Sequence, residues 1–276
     1  MGYFTHSNLA AIYYHQGKYT EAEQRYQRAL PIFEKQLGPE HPKVATLLTN
    51  LAELYREQKR YVEADQRYQR ALSIWKQQPG PEHPETANTF NNLAILYKDQ
   101  GKYAEAEQFY QDALRIWEEQ LGPDHPQTAI ALFGLAELYY MQEKYSASEQ
   151  FYQRVMPIWE KQLGPEHPNM AALFNNLAEL SQAQGRYAEA EQFYQRALPI
   201  FEQQLGPEHP YVASVLNGLA RLSCQQEKYT EAELLYQHAL QIREKVLGTQ
   251  HSDTVETMHA LAQLREMQGN SEKARD

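Results

Sequence analysis

The tripeptide Asn-Leu-Ala stands at residues 50–52, 92–94 and 176–178. Altered copies beginning at Asn8, Gly134, Gly218 and Ala260 fall on the same 42-residue spacing with no insertion or deletion. A fixed period of about 20 to 50 residues marks a solenoid, in which each unit packs only on its neighbours and the core runs through the stack. The period divides the 276 residues into repeats at 1–42, 43–84, 85–126, 127–168, 169–210 and 211–252, with a remainder at 253–276. All are read as one domain, 1–276.

In the second repeat Val44, Leu47, Leu48, Leu51, Leu54 and Tyr55 share one helical face. Pro42 can open that helix, because the first helical position has no use for an N–H. After Gln58-Lys59-Arg60, the series Tyr61, Ala64, Tyr68, Ala71, Leu72, Trp75 gives a second amphipathic face. Each repeat is therefore a helix pair, and the fold class is all-α. Ala52 with Ala64, Ala94 with Ala106 and Ala178 with Ala190 supply small side chains where the paired helices cross. Gly17, Gly101 and Gly185 fit a left-handed turn between them. Pro31, Pro157 and Pro199 fall inside the second helix and predict a kink there.

The order Asn-Leu-Ala-x-Leu-Tyr, Gly-x-Tyr, Ala-x-x-x-Tyr-x-x-Ala resembles the tetratricopeptide repeat. The longer period, with the linker Leu37-Gly38-Pro39-Glu40-His41-Pro42 and its copies at 121, 163 and 205, is similar to the variant found in kinesin light chains and many bacterial signalling proteins. The resemblance implies a right-handed α-solenoid whose first helices line a concave groove. It also implies a non-catalytic scaffold that binds an extended peptide or partner segment.

The resemblance implies that the Asn before Leu-Ala holds a ligand's carboxylate or backbone, which by position is Asn8, Asn50, Asn92 and Asn176, with Asn91, Asn175 and Asn217 one residue earlier; a structural bond to the neighbouring helix is the alternative role. An Asn amide donates and accepts at once, which suits a backbone. Arg56, Lys98 and Arg221 stand nearby on the same helix, and the fourth repeat substitutes Ile130, Phe133, Gly134, Tyr140 and Met141. A ligand whose acidic part meets Arg56 and Lys98 and whose apolar side chain meets Phe133 and Tyr140 fits this pattern. The resemblance points the same way, since kinesin light chain arrays take tryptophan-acidic peptides. The same face carries Glu53, Glu57, Asp99, Glu137 and Glu179, so a basic or mixed ligand stays open. Two other functions compete: a sensor or regulatory segment of a larger signalling protein, and an array that self-associates end to end.

A net charge of −10, from 26 Lys plus Arg against 36 Asp plus Glu, with no basic run, argues against nucleic acid and anionic membranes as partners. No apolar run reaches spanning length, and residues 1–6 do not resemble a signal peptide. Cys224, the only cysteine, excludes an internal disulfide and fits a reducing compartment, the cytoplasm.

Catalysis finds no support. His41, His83, His125, His167, His209 and His251 share one repeat position, so a solenoid spaces them by one repeat rise and leaves them at helix starts rather than around a metal. Glu21, Glu23 and Glu34 belong on a solvated outer face, and Cys224 has no base placed beside it by spacing. Neither a metal nor another cofactor is expected. Trp75, Trp117 and Trp159, with Phe33 and Phe201, are expected in the core. At the ends, Gly2, Thr5 and His6 predict fraying. Asp253 to Gln268 predicts a seventh first-type helix whose Thr257 and Arg265 make its outer face polar, followed by a stub at 271–276; the segment reads as a C-terminal capping helix or as a truncated seventh repeat.

Overall fold

The computed structural model describes residues 9–14 and 16–273; Asn8 and the expected fraying at residues 1–6 lie outside the described residues. Among the described residues all regular structure is helical. Helix α1 covers residues 9–14 and is followed by α2 (Tyr19–Leu37), α3 (Pro42–Glu57), α4 (Tyr61–Gln77), α5 (Pro84–Asp99), α6 (Tyr103–Leu121) and α7 (Pro126–Met141). Then come α8 (Tyr145–Leu163), α9 (Pro168–Ala183), α10 (Tyr187–Leu205), α11 (Pro210–Gln225), α12 (Tyr229–Val246) and α13 (Ser252–Lys273). Contacts divide the chain into two compact units, residues 1–142 with α1 to α7 and residues 143–276 with α8 to α13.

Within each unit the helices pack in chain order as antiparallel neighbours, and odd-numbered helices also adjoin one another: α3 on α5 and α5 on α7 in the first unit, α9 on α11 in the second. This is the α-solenoid arrangement. Turns of three residues, such as 58–60, force the reversal. Gly17, Gly101 and Gly185 take φ of +71°, +73° and +76°, and in alternate repeats Lys59, Glu143 and Glu227 take the same left-handed backbone at +59° to +60°. The turn geometry therefore outweighs the roughly 1 to 2 kcal/mol that a Cβ costs there.

The start of each odd-numbered helix from α3 to α13 rests on its histidine. His41 Nδ1 accepts the Lys43 amide at 3.1 Å, and His83, His125, His167, His209 and His251 repeat the bond at 3.1 to 3.2 Å. A ring nitrogen here does what a Ser or Asp oxygen usually does for the orphan N–H groups of a helix start.

The alanines of the helix crossings, Ala52, Ala64, Ala94, Ala106, Ala178 and Ala190, are all fully buried. Trp75, Trp117, Trp159, Phe33 and Phe201 are buried as expected. Helices α2, α8 and α10 continue through Pro31, Pro157 and Pro199 without interruption.

Three expectations are corrected. Glu23 and Glu34 are not simply solvated: Glu23 is only 18 % exposed and binds Arg60 at 2.9 Å, and Glu34 binds Arg70 at 2.7 Å, so each ties α2 to the following repeat. Thr257 is fully buried rather than on an outer face. The position that is aromatic in the other repeats is Arg243 in α12, and its Nη1 donates to Thr257 Oγ1 at 2.5 Å and to the Asp253 carbonyl at 2.8 Å. A buried guanidinium needs polar partners, and α13 supplies them. Arg265 is exposed, as expected, and binds Glu233 at 2.8 Å. Helix α13 also runs on to Lys273, where a turn and a stub were expected.

Candidate binding face on the odd-numbered helices

The side chains that join adjacent odd-numbered helices are the ones singled out by position. Asn92 Nδ2 donates to Glu53 Oε1 at 3.4 Å, Arg56 Nη1 meets Asp99 at 3.3 Å and Lys98 Nζ meets Glu137 at 2.6 Å, linking α3 to α5 and α5 to α7. Arg56 also holds Glu57 at 2.5 Å. Burial works against the Arg56 and Lys98 charges, yet Glu57 and Asp99 around the first and Glu137 beside the second raise both pKa values above their ordinary range. An incoming carboxylate would have to displace acids already in place. That weakens the physical basis of the expected acidic ligand.

The asparagines divide into two groups. Asn50 is hydrogen-bonded to the Tyr26 hydroxyl of α2, and Asn92 is tied to Glu53. By contrast Asn91 Oδ1, Asn175 Oδ1 and Asn217 Oδ1, all at one repeat position, are buried without a hydrogen-bond partner. Asn91 as a whole is 7 % exposed. Such acceptors are uncommon, because a buried carbonyl left unpaired costs about 1 to 3 kcal/mol. Asn175 Nδ2 reaches Asn176 Oδ1 at 3.5 Å and Glu179 at 3.2 Å.

Where the Asn of Asn-Leu-Ala becomes Gly134 or Gly218, a tyrosine takes the space. A Cβ at Gly134 would lie 2.3 Å from the Tyr110 ring, and one at Gly218 would lie 2.4 Å from the Tyr194 hydroxyl. Tyr110 is pushed up to about 12, first by burial, with Lys98 pulling it back.

Two openings lie along the seam between α3 and α5. The larger, about 650 Å³, is lined by Arg56, Glu57, Lys59, Tyr61, Lys98, Asp99, Gln100, Gly101, Tyr103 and Met141. The smaller, about 190 Å³, is lined by Tyr14, Glu53, Arg56, Tyr68, Asn92 and Ile95. Arg56 belongs to both. Phe133 and Tyr140 line neither opening; they are half-buried on α7, where Ile130 and Met141 are exposed and Glu137 is the only charged residue. In the second unit Gln182 donates to Gln225 at 2.7 Å across α9 and α11, and Arg221 is exposed on α11.

Sequence reasoning placed Glu53 on this face but missed Tyr61 and Tyr103 as cleft walls. The tyrosines recur at the first position of every even-numbered helix from α2 to α12, a regularity that reads as core but also places rings beside each turn. Cys224 is half-buried and hydrogen-bonded to Tyr236, and burial pushes its thiol up, away from the thiolate a nucleophile needs. Among the described residues no group of three or more His, Cys, Asp or Glu is placed to hold a metal, and no helix is long and apolar enough to cross a membrane.

The family model described as tetratricopeptide repeat matches residues 4–77, 44–119, 88–161, 142–203, 169–245 and 211–276. No curated protein matches the sequence. Among solved structures, BtubC (BKLC) from P. vanneervenii is similar at a TM-score of 0.65 and 20 % identity, covering 84 % of this chain and 91 % of that one. A putative kinesin light chain from Podosopora anserina with nearly identical repeats is similar at 0.59 and 26 %, covering 77 % and 99 %. Aspartyl phosphate phosphatase F from Bacillus subtilis shares the fold at 0.67 and 13 %, covering 95 % and 70 %. With six overlapping matches along its length and kinesin-light-chain-like neighbours, the chain belongs to the tetratricopeptide repeat family.

Proposed function

We propose that the chain is a non-catalytic interaction scaffold that binds an extended peptide or partner segment along the face formed by its odd-numbered helices. The observation that carries this reading is the pair of adjoining openings on the α3–α5 seam, which share Arg56 and are floored by polar groups and tyrosine rings. Two openings side by side along one helix seam suit a chain in extended conformation.

Asn91, Asn175 and Asn217 supply amides whose carbonyl oxygens are buried without a hydrogen-bond partner in the free chain. Asn50 and Asn92 stand beside Asn91 in the first unit, and Asn176 beside Asn175 in the second. Phe133, Tyr140 and the exposed Met141 offer an apolar surface at α7, while Arg56 and Lys98 hold the acids beside the openings and Arg221 is an exposed cation of the second unit.

The test is selection of a random-peptide library on the intact chain, counter-selected on an Asn91→Ala, Asn175→Ala, Asn217→Ala variant of unchanged helicity. Peptides retained by the chain and lost on the variant support the reading. Enrichment indifferent to the three substitutions, or none, contradicts it.

A further inference from the structure

Helix α13 keeps open a surface that its counterparts cover. In α3, α5, α9 and α11 the residues Leu48, Phe90, Phe174 and Leu216 are buried, and the next even-numbered helix packs on each of these helices. The rings of Phe90 and Phe174 lie 5.9 Å and 6.2 Å from Phe109 and Phe193 of those next helices, so this position faces them. The crossing alanines Ala52, Ala94, Ala178 and Ala220 are fully buried one turn on. In α13 the same two positions are Met258, 43 % exposed, and Ala262, also exposed. The other side of α13 is closed: Thr254, Thr257, Leu261 and Leu264 are buried, and α12 packs against the helix. The uncovered side is the one that carries an even-numbered helix elsewhere.

A cation marks the rim of this surface. In α9 the residue three beyond the crossing alanine, Ser181, donates to Glu189 of the following helix at 3.0 Å. Helix α13 has Arg265 at that position, where its Nε donates to Glu233 at 2.8 Å. A guanidinium carries further N–H donors beyond that one. Glu189 opens a pattern with Ala190, Phe193, Tyr194 and Ala197, which α6 repeats as Glu105, Ala106, Phe109, Tyr110 and Ala113. A helix of this pattern, set on α13 as α10 is set on α9, brings its first alanine to Ala262, its phenylalanine to Met258 and its glutamate to Arg265. An aromatic ring against the Met258 thioether is a favourable contact.

We propose that this side of α13 docks an amphipathic helix of another polypeptide. Its chemistry is that of Glu-Ala-x-x-Phe-Tyr-x-x-Ala: small residues seven apart, an aromatic pair between them and an acid before the first. Residues 271–276 do not meet this description, because Lys273 stands in register where the glutamate is needed and 271–273 continue α13. The even-numbered helices of a second copy are already packed on their own neighbours. The site is separate from the openings on the α3–α5 seam and does not depend on them.

The experiment titrates the intact chain into a fluorescent peptide of residues 103–121, held helical by a lactam bridge on its outward side, and follows anisotropy. The peptide should bind, and Ala262→Gln should weaken it about tenfold by filling the crossing. Arg265→Glu should weaken it about fivefold, and a Glu105→Lys peptide should recover that loss on the Arg265→Glu chain. Ala262 and Arg265 are exposed, so both variants keep the fold, and the exchanged charges give an answer that a folding defect could not. Absence of binding, or binding indifferent to Ala262→Gln and to the charge exchange, overturns the proposal. A doubled mass of the chain alone in sedimentation, reduced to one copy by Ala262→Gln, also overturns it, by assigning the surface to a second copy.

Discussion

At the scale of single residues, the histidines carry the clearest consequence. A ring nitrogen that accepts a helix-start amide must be unprotonated. Replacing His167 by Ala should cost about 0.5 to 2 kcal/mol, and replacing it by Asn, a common cap, should cost much less; urea denaturation of the two variants reads the difference. His209 adds a pH signature, because burial lowers its pKa below the ordinary 6.5. The unfolded chain then binds the proton more readily, so the stability this group contributes is present above about pH 6.5 and lost as pH falls through its folded value. A His209→Asn variant should lose less stability on acidification from pH 7.5 to 5.5 than the parent; an equal loss would assign the effect elsewhere. Sequence placed these histidines at helix starts from their spacing and the following proline. It could not show that Nδ1 makes the cap, because the bond depends on backbone geometry that no residue type announces.

At the scale of helices, the end of the array departs from its own pattern. Arg243 and Thr257 replace an aromatic and, in the second repeat, a leucine, yet both are buried and bonded to each other. Arg243→Ala should destabilise by about 3 kcal/mol, because it empties a buried site and takes the donor from the Thr257 hydroxyl, leaving the Asp253 carbonyl with only its bond from Thr257. Arg243→Phe combined with Thr257→Leu restores the residues of other repeats and should recover that loss, as thermal denaturation would show. Helix pairs, crossing alanines and buried tryptophans were legible in the sequence, since apolar period and residue size determine them locally. The ties between helices were not. Glu23 to Arg60, Glu53 to Asn92, and the pairs of Arg56 and Lys98 join residues about one repeat apart, where register rather than residue type decides which acid meets which base.

At the scale of the whole molecule, the unbroken 42-residue period leads us to propose one domain over 1–276, although contacts gather into units at 1–142 and 143–276. Tryptophan offers the test. Trp75 and Trp117 report on the first unit and Trp159 on the second, and Phe, which occupies the same position at 33 and 201, can replace any of them. Guanidinium transitions of a Trp159→Phe variant and of a Trp75→Phe, Trp117→Phe variant should coincide if the array unfolds as one, and separate if the units unfold independently. The candidate face was partly legible: family resemblance led to the asparagines, Arg56 and Lys98. Their division into bonded and unbonded amides, and the prior engagement of both cations, emerge only from packing.

The most direct measurement is hydrogen–deuterium exchange of the chain with and without an enriched peptide. Binding along the odd-numbered helices predicts slowed exchange in α3, α5 and α7, strongest around residues 91–99, with the even-numbered helices unchanged. Protection confined to the even-numbered helices or to the loops before each histidine would contradict the account.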